Sequence, residues 1–356
     1  MMKVYNKKLL VNQAGFSLVE LLVGLVIGLL ATLVIMQVFS AFEGQKRTTT
    51  GGADAQTNGS VALHSIERTL QNAGFGLPVS ADQENFALKC SPSPTVDHDG
   101  SAGTPNIGLF PIEITDGNSD TIMVRYSVTS MGSAPVKIID PANATTSAGM
   151  ALENNIGCQD NDVALISLGT SCVMTTVADA NGDPDTLQNV RLAAATPGGA
   201  PIAAGAKFSC MGTWQEFRYE VLNNELVMNG DPVMSEIVNM QAQYGISATA
   251  DSNQVVSWVD PTGGWAAPSV ADRNRIKAVR IAVVARNGLL EKDNVTVQCT
   301  TAEGTTNNGP CAWDDTGLDP APEIDLSGDG NWQRYRYKAF ETVIPLRNLL
   351  WSKDML

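Results

Sequence analysis

Six cysteines, two aspartate-rich loops and one carboxylate inside an apolar run are the residues of this chain whose types and spacing could do chemistry. Cys90, Cys158, Cys172, Cys210, Cys299 and Cys311 are even in number, form no CxxC pair and all follow the apolar run, which points to disulfides made in an oxidising compartment. Six cysteines allow fifteen pairings. Joining sequence neighbours across turn-rich polar loops predicts Cys299 with Cys311 and Cys158 with Cys172, leaving Cys90 with Cys210. Loops of this size contribute about 3 kcal/mol each by restricting the unfolded chain, and the spacing gives zinc little support.

Asp179, Asn181, Asp183 and Asp185, and again Asp325, Ser327 and Asp329, place oxygen side chains on alternate residues, as in the first half of a calcium loop. The twelfth position of that template is Val190 or Arg336 instead of a bidentate glutamate, which favours solvated Asx turns over calcium. No other cofactor is implied. The two histidines, His64 and His98, are far apart in sequence, and no HExxH, GxSxG, Walker loop or dinucleotide fingerprint occurs, so the sequence gives no ground for an enzyme. The balance of 23 Lys+Arg against 37 Asp+Glu, a formal charge of −14, works against a polyanionic ligand, so no nucleic acid is expected as a direct partner.

The third feature is Glu20. Residues 1–15 carry Lys3, Lys7 and Lys8 and no acid, and the stretch from Phe16 to Met36 has Glu20 as its single charge. At about 1.5 Å per residue this stretch makes a helix roughly 30 Å long, enough to cross a bilayer core once. The lysines put the amino terminus in the cytoplasm and everything after about residue 40 outside. A cleaved secretory signal, with a small-residue site around Ser40 and Ala41, and a plain single-span anchor are the two ordinary readings. The run is longer than a signal h-region, and neither reading accounts for a carboxylate that costs roughly 2.5–3.5 kcal/mol at mid-bilayer.

Gly15 followed by Phe16-Ser17-Leu18-Val19-Glu20 and an apolar run resembles a class III, type IV prepilin signal. The resemblance implies that a prepilin peptidase cuts between Gly15 and Phe16 and N-methylates Phe16, leaving the apolar helix in the mature protein. Glu20 would then be an assembly residue, its buried carboxylate neutralised in a filament by the α-amino group of a neighbour's Phe16. Loss of the three leader lysines would take the formal charge from −14 to −17.

Beyond the span, Ala62, Leu63, Ile66, Leu70 and Ala73 repeat at helical spacing, with Gly74 placed as a C-terminal cap and Pro78 as a stop. TTTGG at 48–52 is a poor helix former and predicts a kink or break. If continuous, residues 16–73 would extend roughly 87 Å. After residue 78, alternating or β-branched runs at 107–114, 121–128, 163–168, 216–222, 255–259, 276–286 and 335–346 predict strands. Asn223-Asn224 signals a hairpin. Long polar insertions are expected at 89–106, 140–162, 178–206 and 299–333.

Segments 66–77, 240–247, 276–287 and 340–348 resemble the PilW family of minor type IV pilins. That resemblance implies an α+β, type IV pilin-like fold: a leader (1–15), an N-terminal helix (16–75, transmembrane over about 16–39, then amphipathic) and a β-rich head with long insertions (76–356). It implies a minor pilin that helps initiate pilus assembly and form a tip complex, serving adhesion, twitching motility or DNA uptake. Its partners would be other minor pilins, the major pilin, prepilin peptidase, the inner-membrane assembly machinery and a tip adhesin. Its place would be the inner membrane, then the pilus at the cell surface. A minor pseudopilin of a type II secretion system is the alternative.

Overall fold

The computed structural model describes residues 15–77, 95–96, 107–129, 133–142, 144, 149–155, 157–168, 171–179, 189–193, 202–313, 316 and 319–350. One helix, α1 (Leu18–Leu70), runs without interruption through the Thr-Thr-Thr-Gly-Gly segment where a kink was expected. The hydroxyls of Thr48 and Thr49 bond the carbonyls of Gly44 and Gln45 one turn back, so they do not compete for the backbone. Two glycines cost about 1 kcal/mol each against alanine, too little to offset propagation of a helix already nucleated on both sides. The chain divides into two compact units between Ala53 and Asp54.

The second unit is a β structure in which the strands follow in chain order: β1 (Thr95–Val96), β2 (Ile107–Gly108), β3 (Ile112–Thr115), β4 (Thr121–Val128), β5 (Val136–Asp140) and β6 (Met150–Leu152). Then come β7 (Val163–Leu168), β8 (Ser171–Asp179), β9 (Asn189–Leu192), β10 (Lys207–Leu222), β11 (Glu225–Met228) and β12 (Asp231–Ser235). The last are β13 (Ile237–Ser247), β14 (Val255–Val259), β15 (Ile276–Arg286), β16 (Cys299–Thr300), β17 (Thr306–Asn307) and β18 (Tyr337–Pro345). The Asn223-Asn224 turn is formed, with both residues at positive φ (53° and 63°), as a two-residue hairpin requires.

The main core lies between the distal part of α1 and two antiparallel groups of strands, β3-β4-β10-β11-β12 and β14-β13-β15-β18. Ala55, Ala62, Ile66, Leu70 and Ala73 form the buried stripe of α1, packed with Ile112, Ile122, Tyr219, Leu226, Met240, Tyr244, Val279, Ile281 and Ile344. Gly59 belongs to this stripe because the Phe340 ring occupies the space a Cβ would take. Tyr219 Oη sits 2.7 Å from Thr69 Oγ1 and donates to Ser65 O at 3.3 Å, tying β10 to the helix. The helix ends at Leu70, four residues before the cap expected at Gly74; Gly74, at φ 77°, lies in the turn that follows, where its N–H donates to Arg125 O of β4.

A second core was not legible in the sequence. The amino-terminal half of β10 pairs with β5 on one side and β7 on the other, with Lys207 and Phe208 bonded on both edges. From β5 the pairing continues through β6, β9 and β8 back to β7. The path returns to its start, so six strands close an antiparallel barrel that exposes no free edge. Ile138, Met150, Leu152, Ile166, Val177, Val190, Leu192 and Phe208 fill it. The expected polar insertions 140–162 and 178–206 thus contain the barrel strands β6 and β9.

The loop between β3 and β4 is pinned to β13 by Asp120, 2% exposed. Asp120 Oδ1 accepts from Gly117 N (3.1 Å), its Oδ2 from Ala242 N (2.7 Å), and its own N–H donates to Met240 O (2.7 Å). Burial, reinforced by the nearby Asp116 and Asp260 and opposed by the two backbone donors, raises its pKa to about 7.

Candidate assembly site

The amino-terminal site is organised by Ser17. Its Oγ accepts from Val19 N at 3.3 Å and its carbonyl from Leu21 N at 3.1 Å, which starts α1 immediately after the Gly15-Phe16 bond. Gly15 is exposed, Phe16 is 82% exposed, and the peptide between them lies outside helical hydrogen bonding. Glu20 falls in the first turn, where the positive end of the helix dipole favours a carboxylate. From Leu18 to Phe42 the large apolar side chains all remain solvent-facing, and the apolar window contains no buried residue. A helix apolar on every side needs an apolar surrounding, either lipid or other helices of its kind. Its length and composition suffice for one membrane crossing.

Residues 10–36 match the prokaryotic N-terminal methylation motif, and residues 211–348 match the family described as type IV pilus-assembly protein W. A prepilin amino terminus precedes a PilW-family region. No curated protein and no solved structure matches the chain. The PilW match begins within β10, at the point where this strand leaves the barrel, and covers β11 through β18. Strands β5 to β9 therefore lie outside the family match. The fold is pilin-like α+β, a long apolar amino-terminal helix followed by antiparallel β structure.

Cys158 is bonded to Cys210, not to Cys172, which corrects the pairing of sequence neighbours and equally the pairing of Cys90 with Cys210. The reason is topological: β10 returns to close the barrel and brings Cys210 beside the loop that follows β6, 52 residues back along the chain. Cys172 is also disulfide-bonded, and Cys90 lies outside the described residues. Cys299 and Cys311 are bonded, closing the short loop that contains β16 and β17.

The calcium pattern at Asp325, Ser327 and Asp329 does not converge on a centre. Asp325 Oδ1 accepts from Ser327 N (2.9 Å) and Asn308 Nδ2 (3.0 Å), while Asp329 accepts from Asn331 N (2.9 Å) and faces Arg286 at 3.4 Å. A hydrogen bond from the Ser327 side chain, followed by those from Ser327 N and Asn308, holds the Asp325 carboxyl below its usual pKa, and the backbone contacts form two Asx turns. In the other loop Asp179 closes β8, and Asn181, Asp183 and Asp185 lie outside the described residues. Among the described residues, no three His, Cys, Asp or Glu side chains gather as a metal site. His64 lies on α1, and His98 is outside the described residues.

Proposed function

We propose that the chain is a minor pilin of a type IV pilus, processed between Gly15 and Phe16, N-methylated on Phe16, and carried from the inner membrane into the filament. The observation that supports this best is one unbroken helix. Its start bears the prepilin motif, and its distal stripe forms part of the core of the head that contains the PilW region. In a helix-packed filament, the Glu20 carboxylate would sit among apolar side chains, and a protonated α-amino group on a neighbouring Phe16 would compensate its desolvation. Register between subunits would follow from that pair. A head with an added barrel is more bulk than a repeating shaft position readily accommodates, which favours an initiating or tip subunit working with other minor pilins.

The test is the intact mass and amino-terminal sequence of the protein from membranes and from purified pili, in cells with and without prepilin peptidase. A chain beginning at N-methyl-Phe16 only when the peptidase is present, and found in sheared pili, is the expected result. Glu20→Leu should leave membrane insertion intact and remove the protein from pili. A start near residue 41, or unchanged incorporation of the Glu20→Leu chain, overturns the assembly role.

A further inference from the structure

Strand β18 ends one side of the β14-β13-β15-β18 sheet, and among the described residues it pairs with β15 alone. Asn287 N donates to Arg336 O and Leu346 N to Lys277 O, so the even-numbered residues of β18 are the ones bonded to β15. The N–H and C=O groups of Tyr337, Ala339, Glu341 and Val343 therefore point away from the sheet, and no described group bonds them. We propose that this edge receives an extended segment of a partner protein as an added antiparallel strand.

Natural sheets blunt their free edges, and the other edge strands around the main core do so. On β3, the outward Ile114 N–H is taken by the Tyr244 hydroxyl at 2.6 Å. Strand β12 carries Pro232 and a register shift against β11, and its Ser235 O accepts from Asn58 Nδ2 of α1 at 3.2 Å. Strand β14 is five residues long and shifts register against β13. None of these devices protects β18, which keeps register with β15 without a bulge from Tyr337, opposite Arg286, to Pro345, opposite Ala278. Proline stands only at its last position. The Lys338 ammonium, which could guard the edge, is drawn to Gln56 Oε1 of α1 and lies 5.3 Å from the centre of the Phe340 ring.

A row of alternating main-chain donors and acceptors is complementary to another extended main chain, which presents the same groups in return. The side chains specify the rest of the occupant. Phe340 and Ile344 face the core shared with α1, so Glu341 and Val343 lie on the opposite face, where Val343 is 51% exposed. Glu341 forms no ion pair among the described residues; Arg280, which feels its charge, is bonded to Gln243 Oε1 at 2.6 Å. A β-branched residue opposite Val343 and a lysine or arginine opposite Glu341 complete the cross-strand pairs. A second copy of this chain fits less well. The distal part of α1 runs in the same direction as β18, with Gln56 at Lys338, Gly59 at Phe340, and Gln71 and Ala73 at Asn348. Two β18 edges paired antiparallel would set the two copies of this helical segment in opposite directions, against the common direction that anchoring in one membrane requires. Parallel pairing gives the less stable ladder. The proposal stands on this edge and does not depend on where in a filament the chain sits.

The test uses the full-length chain in detergent and the fluorescein-labelled peptide Thr-Val-Thr-Lys-Thr-Val-Thr, whose valines and lysine share one face. Two further forms are N-methylated, one at the valines and lysine, whose N–H groups would face β18, the other at the inner threonines, whose N–H groups would face away. Val343→Pro removes an outward N–H and no bond to β15, so folding should be retained, as a melting curve checks. Saturable binding of the unmethylated peptide, lost on methylation at valine and lysine, kept on methylation at threonine, and weakened roughly tenfold by Val343→Pro, is the expected result. Glu341→Lys should reverse the preference between this peptide and its counterpart with a central glutamate, a readout that does not rely on the proline variant. Absence of saturable binding overturns the proposal, as does equal binding of the two methylated forms or a preference that Glu341→Lys leaves unchanged. A concentration-dependent dimer in sedimentation that Val343→Pro abolishes overturns the assignment to a different protein and makes the occupant a second copy.

Discussion

Asp120 makes the stability of the head depend on pH in a direction opposite to that of most carboxylates. Its pKa is raised from 3.8 to about 7 in the folded chain, so the folded state holds a proton that the unfolded state has already released. The stability this proton confers is complete below about pH 4 and is lost as the pH rises through about 7. A difference of that size between the folded and unfolded chains corresponds to about 4 kcal/mol as an upper bound. Asp120→Asn removes that dependence at a cost of its own. The amide keeps one acceptor oxygen and turns an N–H toward the other backbone donor, either Gly117 N or Ala242 N, which leaves one donor unpaired at about 1–3 kcal/mol. The variant should therefore be the less stable protein at pH 4.5, and the gap should close or reverse by pH 8. Urea denaturation of both chains in detergent, followed by tryptophan fluorescence across that range, measures the two curves. Parallel curves for wild type and variant would refute the assignment of the buried proton to Asp120.

Two tyrosines that both bury a hydroxyl should respond differently to removal of that group. Tyr244 Oη is the acceptor for the buried Ile114 N–H at 2.6 Å, so Tyr244→Phe strands a backbone donor and should cost about 1–3 kcal/mol. Tyr219→Phe strands none, since Thr69 Oγ1 still bonds Ser65 O, and should cost about 0.5–1.5 kcal/mol; equal losses in denaturation would contradict this reasoning. For the Cys158–Cys210 bond, the 52-residue separation predicts a loss of about 4 kcal/mol in Cys158→Ser/Cys210→Ser, against about 3 kcal/mol for removing the 12-residue Cys299–Cys311 closure. Hydrogen exchange should place the first loss in β5 to β9, and uniform loss of protection over β13 and β15 would count against a separate barrel core.

What was legible in the sequence was local. The prepilin signal is a run of adjacent residues, the stripe Ala62-Ile66-Leu70-Ala73 is a period within one helix, and β4, β7 and β15 are single runs of apolar and β-branched residues. Each can be read without knowing what lies beside it in space. The barrel is a different kind of object. Its strands β6 and β9 are three and four residues long, too short for an alternation pattern to stand out from a polar loop, and each is stabilised only once its neighbours are in place. Its closure depends on one strand, β10, being shared: Lys207 to Gly212 complete the barrel, and Thr213 to Leu222 pair with β4 and β11 in the main sheet. No property of residues 207–222 taken alone marks that division. The same long-range return misled the cysteine pairing, because sequence proximity favours Cys172 while topology delivers Cys210. An acidic cavity in the head follows the same logic over a greater span, since its lining residues Asp116, Gln241, Asp260 and Glu323 meet only after both sheets and the chain between β15 and β18 have formed. A helix apolar on every side can be specified by a short linear run, whereas a cavity built from loops exists only as a consequence of the completed fold.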